Sequence, residues 1–237
     1  MKSAIRLLAA LGLGLAAPLA AVAADTPAKF EKDQKSFAEV SRLLAARKFA
    51  EAVTVLDRLI AENERKHRGD TRSVYSARSP TEALLYAGMA AKDKRDATVV
   101  GPDWGLAVYL KGYALIDLNR RDEARKWLEG AVEMSPMNAQ FLGELGEWHK
   151  NARGWDKAYK LFERAAAAAE FSPDEIKSDH KRRGLRGMGF VLIEQGDLDR
   201  AEALFRDCLK IDPNDRGAKV ELDYIQQQRA KARPKTT

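Results

Sequence analysis

Apolar residues in the second half of the chain recur at intervals of three and four, the stripe of a helix that packs on one side. Leu142, Leu145 and Gly146 form one such run, and Ala201, Leu204, Phe205 and Leu209 form another. Short turns rich in Asn, Gly or charge separate the stripes: "NRRD", "ARGWD" and "QGDL". The pattern predicts pairs of antiparallel helices, and the spacing inside each pair repeats. From Gly189 the chain reaches Ala201 after twelve residues, Phe205 after four more, Cys208 after three and Pro213 after five. The same steps from Gly112 reach Ala124, Leu128, Ala131 and Pro136. From Gly146 they reach Ala158, Phe162 and Ala165, and the proline arrives three residues late as Pro173. Gly112 and Gly146 are 34 residues apart, Gly146 and Gly189 are 43 apart. Nine extra residues therefore lengthen a helix or its loop around "AAAAEFSPDEIKSD".

The spacing has a steric meaning. Two helices cross closely only where one of them is stripped of side chain. Gly112 is expected against Ala124, Gly146 against Ala158 and Gly189 against Ala201, with an aromatic or leucine filling the space beside each pair. Proline closes the unit, because the residue before it is pushed out of helical geometry.

A small residue, an alanine, an aromatic and a proline in this order and with this period resemble the tetratricopeptide repeat family. Three copies carry the resemblance, at 105–138, 139–172 and 182–215. Lys111 and Met188 stand where the family usually has leucine, and Cys208 replaces its second alanine. The resemblance implies an all-α solenoid of antiparallel helix pairs whose first helices line a concave groove for extended or helical peptides.

The remaining chain is less regular. Residues 25–66 read as a divergent N-terminal helical hairpin, with Val40 at the small-residue position and Ala52 and Leu56 in place. Residues 67–104 read as an irregular loop plus one helix, roughly Thr81 to Lys94. Ala90, Ala97 and Pro102 keep the 34-residue frame there, while Arg78 and Pro80 break the first helix. The loop "HRGDTRSVYSARSP" is the expected mobile segment. Residues 216–237 hold a C-terminal capping helix over the last repeat and a basic tail.

The first 24 residues have another character. Lys2 and Arg6 precede an apolar run from Leu7 to Ala17, then come Pro18 and the small-residue segment "AAVAAD". This is the layout of a secretory signal peptide with cleavage near Ala23 or Ala24, and its apolar run is short for a bilayer span. The expected location is the periplasm of a bacterium, or outside the cell. No other segment is apolar enough to be transmembrane. Losing Lys2 and Arg6 takes the formal charge from +6 to +4, a mild excess that does not point to nucleic acid. Cys208 is the one cysteine, so no internal disulfide forms and no lipidated cysteine sits at the cut site.

Catalytic signals are missing from the sequence. His67, His149 and His180 share no helix face, and no HExxH, paired CxxC or glycine-rich phosphate loop occurs. No cofactor and no metal are expected. His149 and Cys208 are read as packed core, Glu144 and Glu147 as solvated, and the four tryptophans as mostly core. What remains is surface. Positions three before, one after and four after each small residue share one helical face. They carry Tyr109, Tyr113 and Ile116, then Glu147 and Lys150 with Gly143 leaving space, then Arg186, Phe190 and Ile193. Lys177, Lys181, Arg182, Arg183 and Arg186 form a basic cluster, from which helical geometry turns Arg183 and Arg186 toward the same face. The expected partner is a protein or peptide with an acidic end and an apolar or aromatic one. The family's carboxylate clamp does not carry over, because Tyr109 and Tyr113 hold its leading positions. Other readings are an enzyme or accessory subunit acting on envelope polymers, or an assembly factor that uses its convex face.

Overall fold

The computed structural model describes the backbone of residues 27–232 and the side chains of residues 34–231. The proposed signal peptide and the last five residues lie outside them. Four helical hairpins follow one another: α1 (Pro27–Ala45) with α2 (Phe49–Lys66), α4 (Pro102–Asp117) with α5 (Arg121–Met134), α6 (Ala139–Asn151) with α7 (Trp155–Ala168), and α8 (Asp174–Glu194) with α9 (Leu198–Ile211). α10 (Arg216–Ala232) packs on α9 and α8. Between the first two hairpins lies an insert of β1 (Ser73–Ser76), α3 (Pro80–Lys92) and β2 (Ala97–Val100).

The four hairpins share one turn. Each first helix ends with a residue in the left-handed region: Arg47 at φ 57, Asn119 at 58, Arg153 at 57 and Gly196 at 82. The next N–H reaches back to a carbonyl five residues earlier, as from Lys48 to Leu43, Arg120 to Leu115, Gly154 to His149 and Asp197 to Leu192. This is a Schellman closure, which satisfies carbonyls the helix end would otherwise orphan. The second helix then starts from nearly the same backbone each time, with Lys48, Arg120, Gly154 and Asp197 at φ −93 to −80 and ψ 59 to 70. The α1–α2 hairpin turns like the three regular ones although its sequence strays furthest from them.

Packing inside each hairpin brings the large residue closest to the glycine. A Cβ added at Gly112 would lie 2.9 Å from Leu128, at Gly146 2.9 Å from Phe162, and at Gly189 2.6 Å from Phe205. The atoms nearest each glycine thus belong to the large residue four positions beyond the alanine, and Ala124, Ala158 and Ala201 are themselves fully buried. A glycine makes room for a ring better than for a methyl, because the ring fills the gap and so buries more apolar area. Phe162 is held from two sides: Gly146 of its own hairpin and Gly187 of the next both press on its ring. Nearby, Gly184 brings α8 against the α7 backbone, so that a Cβ there would lie 2.7 Å from the Ala166 nitrogen and 2.8 Å from the Phe162 carbonyl oxygen. The alanine run from 165 to 169 lets the helices approach this far. The nine extra residues become the 3₁₀ turn Ala169–Phe171 and two additional turns at the start of α8.

The insert corrects two expectations. Residues 67–80 are not a mobile loop: β1 pairs in parallel with β2 in the register Ser73 with Ala97 through Ser76 with Val100. The fold is helical apart from this pair. Ala97 and Pro102 do not continue the repeat, since Ala97 opens β2 and Pro102 opens α4. The one helix expected here, roughly Thr81 to Lys94, is α3, which Pro80 opens with Ser79 capping the Glu82 N–H, the position where a missing N–H costs nothing. The insert is fixed to the hairpins. Ser76 Oγ donates to the Gly101 carbonyl and accepts the Gly105 N–H, while Ser135 Oγ donates to the Ser76 carbonyl at 2.7 Å. Tyr75 stacks on the buried Tyr86 ring at 5.5 Å. Arg78 donates to both carboxylate oxygens of buried Glu82 and to the Phe171 carbonyl at 3.3 Å, tying the insert to the junction of α7 and α8.

Candidate functional site

The first helices α4, α6 and α8 present the residues the spacing placed on one face, and the structure divides them into three groups. Tyr109 leaves the surface. Its ring is 3% exposed and lies flat on Phe141 with centroids 4.5 Å apart, and its hydroxyl accepts a hydrogen bond from Gln140 Nε2 at 3.1 Å. Burial, with the Glu144 charge behind it, pushes the phenol up to about 12. Ile116 is half-buried against the core around Ala114 and Leu115. Tyr113, one turn from Tyr109, stays 37% exposed.

A second group meets around α6 and α8. Lys150 Nζ lies 2.6 Å from Glu147 and 4.7 Å above the Phe190 ring. Glu221 of α10 belongs to the same group: burial pushes its carboxyl up and Lys150 opposes the shift. The third group is the basic cluster, which is already paired. Arg183 donates to Glu144 at 2.9 Å and its guanidinium lies over Gly143, filling the space that glycine leaves. Burial disfavours its charge, and the Glu144 carboxylate more than restores it. Arg182 and Arg186 converge on Asp215, whose side chain is all but sealed from solvent. Burial raises the Asp215 carboxyl, yet the Ala218 N–H and the two guanidiniums hold it below the usual range. Lys177 and Lys181 both reach Glu170.

The departures from the repeat pattern have local reasons. Lys111 pairs with Asp57 and places its Nζ 3.6 Å above the Trp127 ring, joining α4 to α2. Met188 is core. The Cys208 thiol is fully buried, donates to the Arg182 carbonyl, and is pushed up by burial to about 11. A thiol that stays protonated is a weak nucleophile.

Sequence reasoning missed Glu144, Gln140, Asp215 and Glu221 as partners, and it missed two residues of α10. Val220 and Tyr224 stand 34 residues after Arg186 and Phe190, and they remain 65% and 42% exposed. Running the repeat frame on through Pro213 would have found them. Ser172 and His180 also come together, with Oγ and Nδ1 2.8 Å apart. Asp179, the nearest acid in sequence, is bonded to Arg182 instead, so the pair lacks the orienting carboxylate that nucleophilic catalysis relies on. Among the described residues no group of three His, Cys, Asp or Glu could hold a metal ion, and no helix is long and apolar enough to cross a membrane.

Family models described as tetratricopeptide repeat match residues 107–138 and 183–215. No curated protein matches the chain. Solved structures similar to it include residues 41 to the end of MamA from Desulfovibrio magneticus RS-1, at 14% identity and TM-score 0.55, covering 84% of this chain and 86% of that one. Another is Pseudomonas aeruginosa pilF, at 12% identity and TM-score 0.57, covering 86% and 72%. Identities this low speak to the fold alone, and the fold they share is the helical solenoid. The two matched segments, with the glycine packing and the hairpin turn they share, show that this chain carries tetratricopeptide repeats.

Proposed function

We propose that this protein is an exported scaffold or adaptor that holds a segment of a partner protein along the face of α4, α6, α8 and α10. One observation carries the reading. Six large hydrophobic side chains are left exposed among the described residues, and three of them fall at positions of this one face: Tyr113 and Tyr224 one residue after the small position, and Val220 three before it. Exposed aromatic residues at such positions are the usual anchors of protein recognition.

The partner segment is read as apolar or aromatic where it meets Tyr113 and Tyr224, with an acidic end at Arg183 and Arg186. Both guanidiniums are paired through one nitrogen, to Glu144 and Asp215. A guanidinium has five N–H donors, so a carboxylate from a partner can be added without breaking either pair. Export rests on the charged, apolar and small-residue order of the first 24 residues. N-terminal sequencing of the native protein should begin at Ala24 or Asp25.

The test is affinity capture from cell-envelope extract with wild type and with a Tyr113→Ala, Tyr224→Ala double variant. The variant should keep its helical circular dichroism and lose the captured protein. Equal capture by both would move binding to the convex face, and turnover of an envelope polymer by the purified protein would replace the scaffold reading with an enzymatic one.

A further inference from the structure

A cleft of about 660 Å³ lies on the opposite edge of the solenoid from the insert, where the hairpin turns emerge. Trp148 and Trp155 line it, together with His149, Arg125, Arg153 and Lys157. It is distinct from the face of α4, α6, α8 and α10, and nothing in the scaffold reading requires it.

Two independent features converge in the cleft. The first is the start of α7. The N-cap residue before Trp155 is Gly154, which has no side chain to cap the helix. The N–H groups of the first turn therefore face outward without a partner from the cap, at the positive end of a fourteen-residue helix. The second is His149. It is only 8% exposed, it lines the cleft, and its imidazole makes no hydrogen bond among the described residues, touching Trp148 edge-on at 5.0 Å. Its ring nitrogens are not sealed from solvent, so a group entering the cleft can bond to them.

The charges around His149 set the sign of what fits. From α5 come Asp122, Arg125 and Glu129, and from α7 come Asp156 and Lys157, with Arg153 between the helices. Arg125 pairs with Glu129 at 3.1 Å, and Asp156 accepts a hydrogen bond from Gln195 at 3.3 Å. Arg153 and Lys157 are in no ion pair among the described residues, and they flank the open helix end. Burial, then Lys157 and Arg125, hold the imidazole below the ordinary histidine range, with Glu129 opposing.

We propose that this cleft binds an oxyanion, a carboxylate or a phosphate group, held by the first-turn N–H groups of α7, by Lys157 and Arg153, and by His149, which takes up a proton as the anion enters. The indoles of Trp148 and Trp155 cover whatever apolar body the anion is attached to. Binding and protonation are linked, so each unit by which the anion raises the His149 pKa makes binding about tenfold tighter at a pH below both values than at a pH above them.

The experiment follows the ring resonances of His67, His149 and His180 by NMR in the full chain while sodium acetate or inorganic phosphate replaces chloride at constant ionic strength. The expected result is a saturable shift of His149, a raised His149 pKa, and tighter half-saturation at about pH 5.5 than at about pH 7.5. Saturation by acetate alone, by phosphate alone or by both supports the site and distinguishes a carboxylate from a phosphate source. Lys157→Gln should weaken the half-saturation several-fold while leaving the circular dichroism unchanged. Equal, unsaturating shifts of all three histidines, or a Lys157→Gln variant that titrates as wild type, would overturn the proposal.

Discussion

Replacing Gly184 by alanine sets two effects of known size against each other. In a free helix the change is favourable by about 1 kcal/mol, since alanine loses less backbone entropy. In this structure the new Cβ would lie 2.7 Å from the Ala166 nitrogen and 2.8 Å from the Phe162 carbonyl oxygen. Both are backbone atoms of α7, so no rotamer change relieves the contact. Restoring ordinary separation means parting α7 and α8 by roughly 0.7 Å, and a gap of that order forfeits about a quarter to a half of the dispersion energy of each contact it opens. Overpacking of this kind costs about 1–3 kcal/mol. After the propensity gain, the net loss is up to about 2 kcal/mol, or a melting temperature lower by up to roughly 8 °C for a chain of this size. Gly88 provides the control. It is also helical, but a Cβ there meets nothing within 4 Å, so Gly88→Ala should gain about 0.5–1 kcal/mol. Thermal and urea unfolding of the two variants should move in opposite directions. If Gly184→Ala is as stable as Gly88→Ala, the close approach of α7 and α8 is wrong.

Gly146→Leu should cost more than Gly184→Ala, because a whole side chain would have to displace the fully buried Phe162 ring 2.9 Å from the glycine's Cβ position; equal melting of variant and wild type would break the glycine-on-ring packing. Lys94 sits at φ 55 in the turn after α3 and is exposed, so Lys94→Gly should stabilise by about 1 kcal/mol through relief of left-handed strain, whereas Lys94→Ala should not, and differential scanning calorimetry separates them. Asp215 caps α10 through the Ala218 N–H and anchors Arg182 and Arg186, so Asp215→Ala should cost about 3–5 kcal/mol and expose α10 to limited proteolysis; unchanged cleavage at α10 would contradict this docking. His149 and His180 both have pKa values lowered chiefly by burial, so the unfolded chain binds more protons than the folded one as pH falls below about 6.5, and stability should drop between about pH 7 and pH 5. His180→Gln should flatten part of that drop in urea midpoints measured across the range, and an unchanged slope would mean His180 titrates normally.

The helical pairs were legible because their information is local. A stripe, a turn and a proline recur within 34 residues, and Gly112, Gly146 and Gly189 mark the crossings whichever residue they face. The double seating of Phe162 against Gly146 and Gly187 was not legible, since it depends on the roll of α7 about its own axis. β1 and β2 escaped for a different reason. Strands of four residues are too short for alternation to register, and their pairing joins Ser73 to Ala97 across a helix. At the candidate site the spacing put Tyr113, Phe190 and Lys150 on one face. It could not tell that Tyr109 would lie flat on Phe141 or that Arg183 would be claimed by Glu144. Those outcomes are settled between helices, and helical periodicity describes each helix alone.

The bonds made by the insert change how the array can come apart. In an ordinary solenoid each unit touches only its neighbours, so an end can fray while the rest stays intact. Here Ser76 is bonded across 59 residues to Ser135, and Arg78 across 93 residues to the Phe171 carbonyl. The insert thus works as a strut that spans from the N-terminal side of α4 to the junction of α7 and α8. Fraying from the N-terminal end must stop at this strut or carry the two central hairpins with it, so the middle of the molecule should exchange its amide hydrogens as one block.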